Sequence, residues 1–205
     1  GRFVSVNPVR TGYSAIADEW VPIRPGTDGA FLLAVVNEII AQGLYDRAFV
    51  ARYSNGGHLV VCDPGSARNG LLARTPGAPE SDTDYPPAQL WWDRHTSRAV
   101  LTHTEGADPY LFGEFRLEDG TPVKPAFQLL ADRVKQYTPE WAEGVTGIPA
   151  AAIRRLAHEM GVVARDQRIE LPFAWTDCWG VEHQTVTGNP VAFHAMRGLA
   201  AHSNG

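Results

Sequence analysis

The amino-acid sequence predicts an α/β fold, an open Rossmann-like sheet with flanking helices and a β-rich insertion. Three observations point there. Phe3, Val4 and Val6 form a short apolar run that suits a buried strand, and it stops at Asn7-Pro8 because proline has no N–H to give to a ladder. Phe31, Leu32, Val35, Val36, Ile39 and Ile40 recur at spacings of three and four and end at Gly43, which is the pattern of a helix with one apolar stripe. Between this helix and the next helical pattern at Pro125 lies a Gly- and Pro-rich stretch of ~60 to 70 residues, too long for a plain connection in a compact domain. The expected division is therefore 1–53 and 124–205 for the α/β domain and 54–123 for the insertion.

The composition sets bounds. A chain of 205 residues with 44% hydrophobic content can bury a real core, in one domain or one domain with an appendage. A net charge of -5 without a basic block argues against a nucleic-acid surface. No apolar run approaches the length of a membrane span, so membrane insertion is not expected. The chain opens on a strand without an initiator methionine or leader, and it reads as a piece of a longer protein. Cys62 and Cys178 stand far apart with no CxxC, which leaves no sequence case for an iron–sulfur or zinc site and predicts two free thiols. Cys178, between Asp177 and Trp179, is expected to be buried.

Taken in order, Val21-Pro22-Ile23 is a second extended piece, and Pro25-Gly26-Thr27-Asp28-Gly29 turns the chain into the first helix with an acid in its first turn. Open α/β sheets bind ligands beyond the carboxyl ends of their strands, where loops and helix starts offer N–H groups and polar side chains. Asn7, Pro8, Arg10 and Thr11 on one turn, and Gly26, Thr27 and Asp28 on the other, are therefore candidates for a nucleotide site. The alternative is two ordinary turns and a helix cap, because neither segment is a GxGxxG or Walker loop. Asp46 is expected to cap a short helix on which Phe49, Val50 and Tyr53 share a face.

Residues 54–87 read as loop with one strand at His58 to Cys62, and 80–87 as the most mobile piece. Gln89 to Leu101 and Leu111 to Phe127 each read as strands around a polar turn, the second closed by Asp119-Gly120. The insertion is then a lid, a docking surface, or a small β subdomain covering a sheet edge. His58, His95 and His103 are too far apart in pattern to argue for a metal.

Phe127, Leu130, Val134 and Tyr137 restore the helical rule, and Thr138-Pro139-Glu140 supplies a cap, an N1 proline and an acidic first turn. Gly147-Ile148-Pro149 breaks the chain before a helix carrying Ile153, Leu156, Ala157 and Met160, with Arg154 and Arg155 on its outer face for solvent or phosphate. Ile169, Leu171 and Phe173 alternate as another sheet strand. Trp175, Asp177, His183 and Gln184 follow at its end as candidates for a wall of the ligand site, the alternative being core tryptophans at 175 and 179 and a surface histidine.

Two long strings, NPVRTGYSAIADEWVPIRPGTDGAFLLAVVNEIIAQGLYDRAFV and YTPEWAEGVTGIPAAAIRRLA, stand in this order and are extended by Pro190 to Gly205. Together they resemble the molybdopterin oxidoreductase family. The resemblance implies molybdenum, with tungsten as the alternative metal, on two molybdopterin guanine dinucleotides. It assigns Asn7 and Arg10 to the ribose or diphosphate of a guanosine arm and Asp28 to the guanine N1–H and amine, with Pro8, Thr11, Gly26, Thr27, Trp175, Asp177, His183 and Gln184 around the cofactor. HAMRGLAAHSNG is similar to the sulfur-oxyanion branch, which includes thiosulfate, polysulfide and tetrathionate reductases and cytoplasm-facing sulfite dehydrogenases; sulfite oxidation is favoured, with Arg197, His202 and Asn204 as catalytic candidates in the substrate funnel.

The resemblance further implies that the iron–sulfur cysteines and the metal's protein ligand lie upstream of Gly1, and that this piece alone is inactive. The partners it implies are a small oxyanion substrate, a membrane-anchor subunit, and an iron–sulfur electron-transfer subunit, in the cytoplasm at the membrane face, with the periplasm as the alternative. Two other readings compete with it. One is a noncatalytic interaction domain whose Trp-rich insertion docks an electron-transfer subunit. The other is a NAD- or FAD-binding Rossmann module, which the missing Gly-rich first turn counts against.

Overall fold

A computed structural model describes residues 1–75, 77, 88–178 and 180–195. In chain order these form β1 (Val4–Val6), β2 (Glu19–Val21), α1 (Asp28–Ala41), α2 (Arg47–Tyr53), β3 (Leu59–Val61), β4 (Leu90–Asp93), β5 (Arg98–Leu101), β6 (Phe115–Arg116), β7 (Pro122–Pro125), α3 (Ala126–Val134), α4 (Pro139–Thr146), α5 (Ala150–Asp166), β8 (Ile169–Leu171), β9 (Trp175–Thr176), β10 (Glu182–His183) and β11 (Val186–Gly188). The chain divides into two compact units, Gly1–Tyr45 with Val134–Gly205, and Asp46–Arg133. Helices and small sheets are mixed along the chain, consistent with an α/β fold. Parallel pairing among the described residues is confined to β1 and β2.

In the first unit β1 and β2 run side by side in register, Val4 opposite Glu19 and Val6 opposite Val21. The second strand lies two residues earlier than the Val21-Pro22-Ile23 reading because Pro22 has no N–H and ends the ladder. A crossover of a dozen residues is the least a parallel pair allows, and here it holds a single 3-10 turn at Gly12–Ala15. The apolar stripe of α1 then packs on α4 and α5. Phe31, Ala34 and Val35 of α1, Ala142 of α4, and Ile153, Leu156 and Ala157 of α5 close on Val21 and Ile23 to form one core. Each large aliphatic side chain sealed there contributes about 1.5–3 kcal/mol.

Thr138 caps α4 by accepting from Trp141 N at 3.2 Å. Gly161 lets α5 approach the chain just after α1, since a Cβ there would stand 2.6 Å from Leu44 Cβ. Arg154 and Arg155 are paired rather than merely solvated: Arg154 meets Glu140 at 2.5 Å, and Arg155 meets Glu19 at 2.5 Å and Glu159 at 3.1 Å. Arg2 joins the same group through Glu19 and Glu159. Burial opposes ionisation of Glu159, but Arg155 and Arg2 outweigh it and hold the carboxyl below its ordinary range. The Glu19 carboxylate in turn holds the Arg155 guanidinium proton more tightly than usual.

The second unit has a core of its own, made by Leu59, Val61, Ala73, Leu90 and Val123. Three antiparallel strands run in the order β3-β7-β6, and β4 and β5 form a separate hairpin. The β6–β7 turn contains Asp119-Gly120, with Asp119 Oδ1 accepting from Thr121 N at 2.9 Å. Asp46 caps α2 by accepting from Phe49 N at 2.9 Å, and Phe49 and Tyr53 share its exposed face with ring centroids 5.3 Å apart. The β4–β5 turn is organised by Asp93, which is 3% exposed and accepts from Thr96 N, Thr96 Oγ1 and Asp108 N at 2.8–2.9 Å. Burial alone would raise its pKa, yet these donors lower it to about 2. The segment 80–87 lies outside the described residues.

The strand expected at Ile169 to Phe173 forms, but not in the parallel sheet. β8 pairs antiparallel with β11, Leu171 opposite Val186, and its residues are exposed. Beyond it β9 pairs antiparallel with β10, Trp175 opposite His183. The reason is local: Gly180 at φ 83° and the Asp177 side chain, which accepts from Val181 N at 2.9 Å, turn the chain straight back. Such a turn closes a ribbon at once, whereas parallel pairing needs a long crossover. Cys178 stands exposed on this turn instead of buried, and both thiols are free. No helix among the described residues is long and apolar enough to cross a membrane.

Candidate functional site

Because β1 and β2 are parallel, both leave the sheet at the same edge. The chain after β1 runs through Asn7 to Thr11, and the chain after β2 reaches Gly26 to Asp28. Ligands of α/β sheets lie at this edge. The pairing continues one step past the strands, since Asn7 N donates to Val21 O at 3.1 Å. Trp20 Nε1 donates to Asn7 O at 2.8 Å and ties the first loop to the second strand.

Hydrogen bonding decides which atoms stay available for a ligand. Asn7 Oδ1 accepts from Val9 N at 3.0 Å, so the amide nitrogen is its remaining polar group and can only donate. Thr27 Oγ1 donates to Arg24 O at 2.7 Å, which leaves its lone pairs free. Thr11 N is bonded to Val9 O at 3.0 Å. Gly26 takes φ 74°, a left-handed conformation costly for a side chain, and a Cβ there would meet nothing within 4 Å. Asp28 opens α1 and carries the acid of its first turn. Neither its carboxylate nor the exposed guanidinium of Arg10 has a hydrogen-bond or ion-pair partner among the described residues. Pro8 is exposed on the same turn.

Arg24 holds the second loop in place, and nothing in the local sequence marks it for that role. Its guanidinium donates to Gly144 O at 2.6 Å and Val145 O at 3.0 Å, and its backbone N donates to Thr146 O at 2.9 Å. These carbonyls close the C-terminal turn of α4, where a cation satisfies orphan acceptors and meets the negative end of the helix dipole. The turn before Asp28 is thereby fastened to a helix more than a hundred residues away in sequence.

Three of the four expected wall residues form a second cluster on the β9–β10 ribbon. Trp175 and His183 stack with centroids 4.6 Å apart and planes at 20°. His183 Nε2 lies 3.0 Å from Asp177 Oδ2, and the two side chains are 39% and 14% exposed. Trp175 Nε1 donates to Thr185 O at 3.1 Å. Gln184 follows in an exposed bend. Arg197, His202, Asn204 and Trp179 lie outside the described residues. Among the described residues no group of three or more His, Cys, Asp or Glu side chains could hold a metal ion.

No protein-family model matches the chain. Curated relatives do. The chain is 65% identical over 205 residues to a sulfite dehydrogenase subunit of Allochromatium vinosum, covering all of this chain and 21% of that protein. It is 30% identical over 164 residues to the alpha chain of the dimethylsulfide dehydrogenase of Rhodovulum sulfidophilum, covering 75% of this chain and 17% of that protein. It is 24% identical over 198 residues to the molybdopterin-containing subunit of the arsenate respiratory reductase of a Shewanella species, covering 97% and 17%. The chain thus spans about a fifth of the length of the curated relatives it matches. Among solved structures, acetylene hydratase from Pelobacter acetylenicus aligns with a TM-score of 0.41 and 21% identity over 80% of this chain and 13% of that one.

Proposed function

This chain belongs to the molybdopterin oxidoreductase family, and from that premise we propose that it is the part of a catalytic subunit that holds the guanosine arm of a molybdopterin guanine dinucleotide. The observation that carries the reading is the edge beyond β1 and β2, with an unpartnered carboxylate at Asp28 and unpartnered donors at Arg10 and Asn7 Nδ2. Guanine offers two donors side by side, its N1–H and exocyclic amine, and one carboxylate accepts both. Adenine has no such pair on that edge. Arg10 supplies a planar fork for a diphosphate and Asn7 Nδ2 a donor for a ribose oxygen or phosphate. The open conformation of Gly26 admits the base close to the backbone, and the residues present fit the group.

The bound cofactor supplies two-electron oxygen-atom chemistry at sulfur. Sulfite is the favoured substrate, because the 65% identity to a sulfite dehydrogenase subunit runs along the whole chain. Arg197, His202 and Asn204 are proposed as oxyanion contacts on their chemistry: a fixed fork, a proton carrier near neutral pH and an orienting amide. The proposed partners are a membrane anchor and an iron–sulfur electron-transfer subunit, with the complex at the cytoplasmic membrane face.

The test uses the full-length protein. Metal is measured by mass spectrometry and nucleotide after acid hydrolysis, with two GMP per molybdenum expected. Protein free of both metal and GMP would overturn the assignment, and adenine nucleotide in place of GMP would favour a dinucleotide module.

A further inference from the structure

The second unit contains a cavity of about 440 Å³ between α2, Trp91 of β4 and the loop that follows β5. Small-molecule sites span roughly 300–1,000 Å³. Its walls are fastened to one another, because Arg47 Nη2 reaches from α2 to the loop and donates to Asp108 Oδ1 at 2.8 Å and to Pro109 O at 3.0 Å. Asp108 N in turn donates to Asp93 Oδ1 at 2.9 Å. Ala48, Ala51 and Pro109 give the lining an apolar side.

Two donors of this lining are unmatched. Trp91 is only 4% exposed, and its Nε1 is sealed from solvent with no hydrogen-bond acceptor. The His58 and His103 rings flank the indole, with centroids 6.2 Å and 5.4 Å away, and neither accepts from it. A buried N–H without an acceptor is destabilising and uncommon in a native fold, so an acceptor from outside the chain is called for. Arg52 is the second donor: its exposed guanidinium lines the same cavity and has no hydrogen-bond or ion-pair partner among the described residues. The acid of the inner wall is already spent, since Asp108 is shared by Arg47 at 2.8 Å and Arg94 at 3.4 Å. Glu105, the other acid of the lining, is exposed, and solvent screens it.

We propose that this cavity binds a small organic anion, whose carboxylate accepts from Arg52 and Trp91 Nε1 and whose apolar body packs on Ala48, Ala51 and Pro109. The planar fork of arginine matches a carboxylate edge. An inorganic oxyanion would satisfy the donors but leave the apolar side uncovered. The site goes beyond the guanosine-arm reading and shares no residue with it.

The experiment uses the full-length protein, with benzoate as the probe and acetate and sulfate at the same ionic strength for comparison. Phenylglyoxal modifies accessible guanidinium groups, and peptide mass spectrometry follows the rate at Arg52. With benzoate at about ten times its dissociation constant the rate should fall about tenfold, because only unoccupied protein reacts, while acetate and sulfate change it less than about twofold. Trp91→Phe keeps a flat ring and removes the N–H, so the benzoate needed for half protection should rise about tenfold. An Arg52 rate that ignores benzoate overturns the site. Equal protection by sulfate or acetate overturns the organic class, and unmoved half protection in Trp91→Phe overturns the indole contact. Should Trp91→Phe fail to accumulate, Arg52→Gln decides by calorimetry: benzoate affinity lowered about tenfold or more supports the proposal, and unchanged affinity overturns it. Molybdenum and GMP are measured on the same preparation; their absence would strike the proposed function, while the protection of Arg52 would still decide this site.

Discussion

Asp28 is where one side chain carries most of the proposed specificity. Replacing one carboxylate oxygen by an amide nitrogen sets a donor against a guanine donor, a loss of about 1–3 kcal/mol for a buried unsatisfied pair. Asp28→Asn in the full-length protein should therefore lower the GMP retained per polypeptide about 10-fold or more, and a full complement of GMP would remove Asp28 from the base contact. Asp93 carries a second prediction, in which the sign follows from its depressed pKa. Its carboxyl titrates near 2 in the fold and near 3.9 in an unfolded chain. The stabilisation is thus complete above about pH 4 and is lost as the pH falls through about 2. With allowance for solvent screening it amounts to about 1–2 kcal/mol at neutral pH. Asp93→Asn should lower the melting temperature at pH 7 and narrow its gap to wild type as the pH drops towards 2; a gap that stays constant across that window would mean the carboxylate is not the source. Residues acting through near neighbours, such as the Asp46 and Thr138 caps and the Asp119-Gly120 turn, were legible in the sequence because the partner atom lies within three positions. Arg24 was not, because its acceptors at 144 and 145 are brought to it only by the packing of α4 on α1.

At the level of elements, α1 and α5 show how periodicity becomes a contact. The stripe of Phe31 and Val35 meets Ile153 and Leu156 in one core, and the approach continues at Gly161, which leaves no room for a side chain against Leu44. Gly161→Ala gains about 1 kcal/mol of helix propensity but must force a Cβ into a 2.6 Å contact. Overpacking of that kind costs about 1–3 kcal/mol. The expected net result is a lower melting temperature, and a stabilised protein would mean that α5 can shift away from Leu44 without loss. The β8–β11 and β9–β10 ribbons teach the opposite lesson. Alternating Ile169, Leu171 and Phe173 matches a sheet strand equally well in either orientation, and only the turn at Asp177 and Gly180 selected an antiparallel partner.

For the molecule as a whole, the division into two units with separate cores predicts that 46–133 can fold without the rest. Expressed alone, that segment should melt cooperatively and show near-ultraviolet dichroism from Trp92, whose ring stacks on Phe115 at 4.6 Å. A featureless, non-cooperative transition would show that its core depends on the remainder of the chain. The sequence by itself determined the α/β class, the helices and their caps, the hairpins and the family, since these depend on residues within a turn or two of each other or on long matching strings. Tertiary structure alone decided the ion pairs of Arg154 with Glu140 and of Arg155 with Glu19, and the anchoring of Arg24 on α4. Each of those depends on which distant segment the core brings within hydrogen-bonding reach, and no local pattern of residue types encodes that distance.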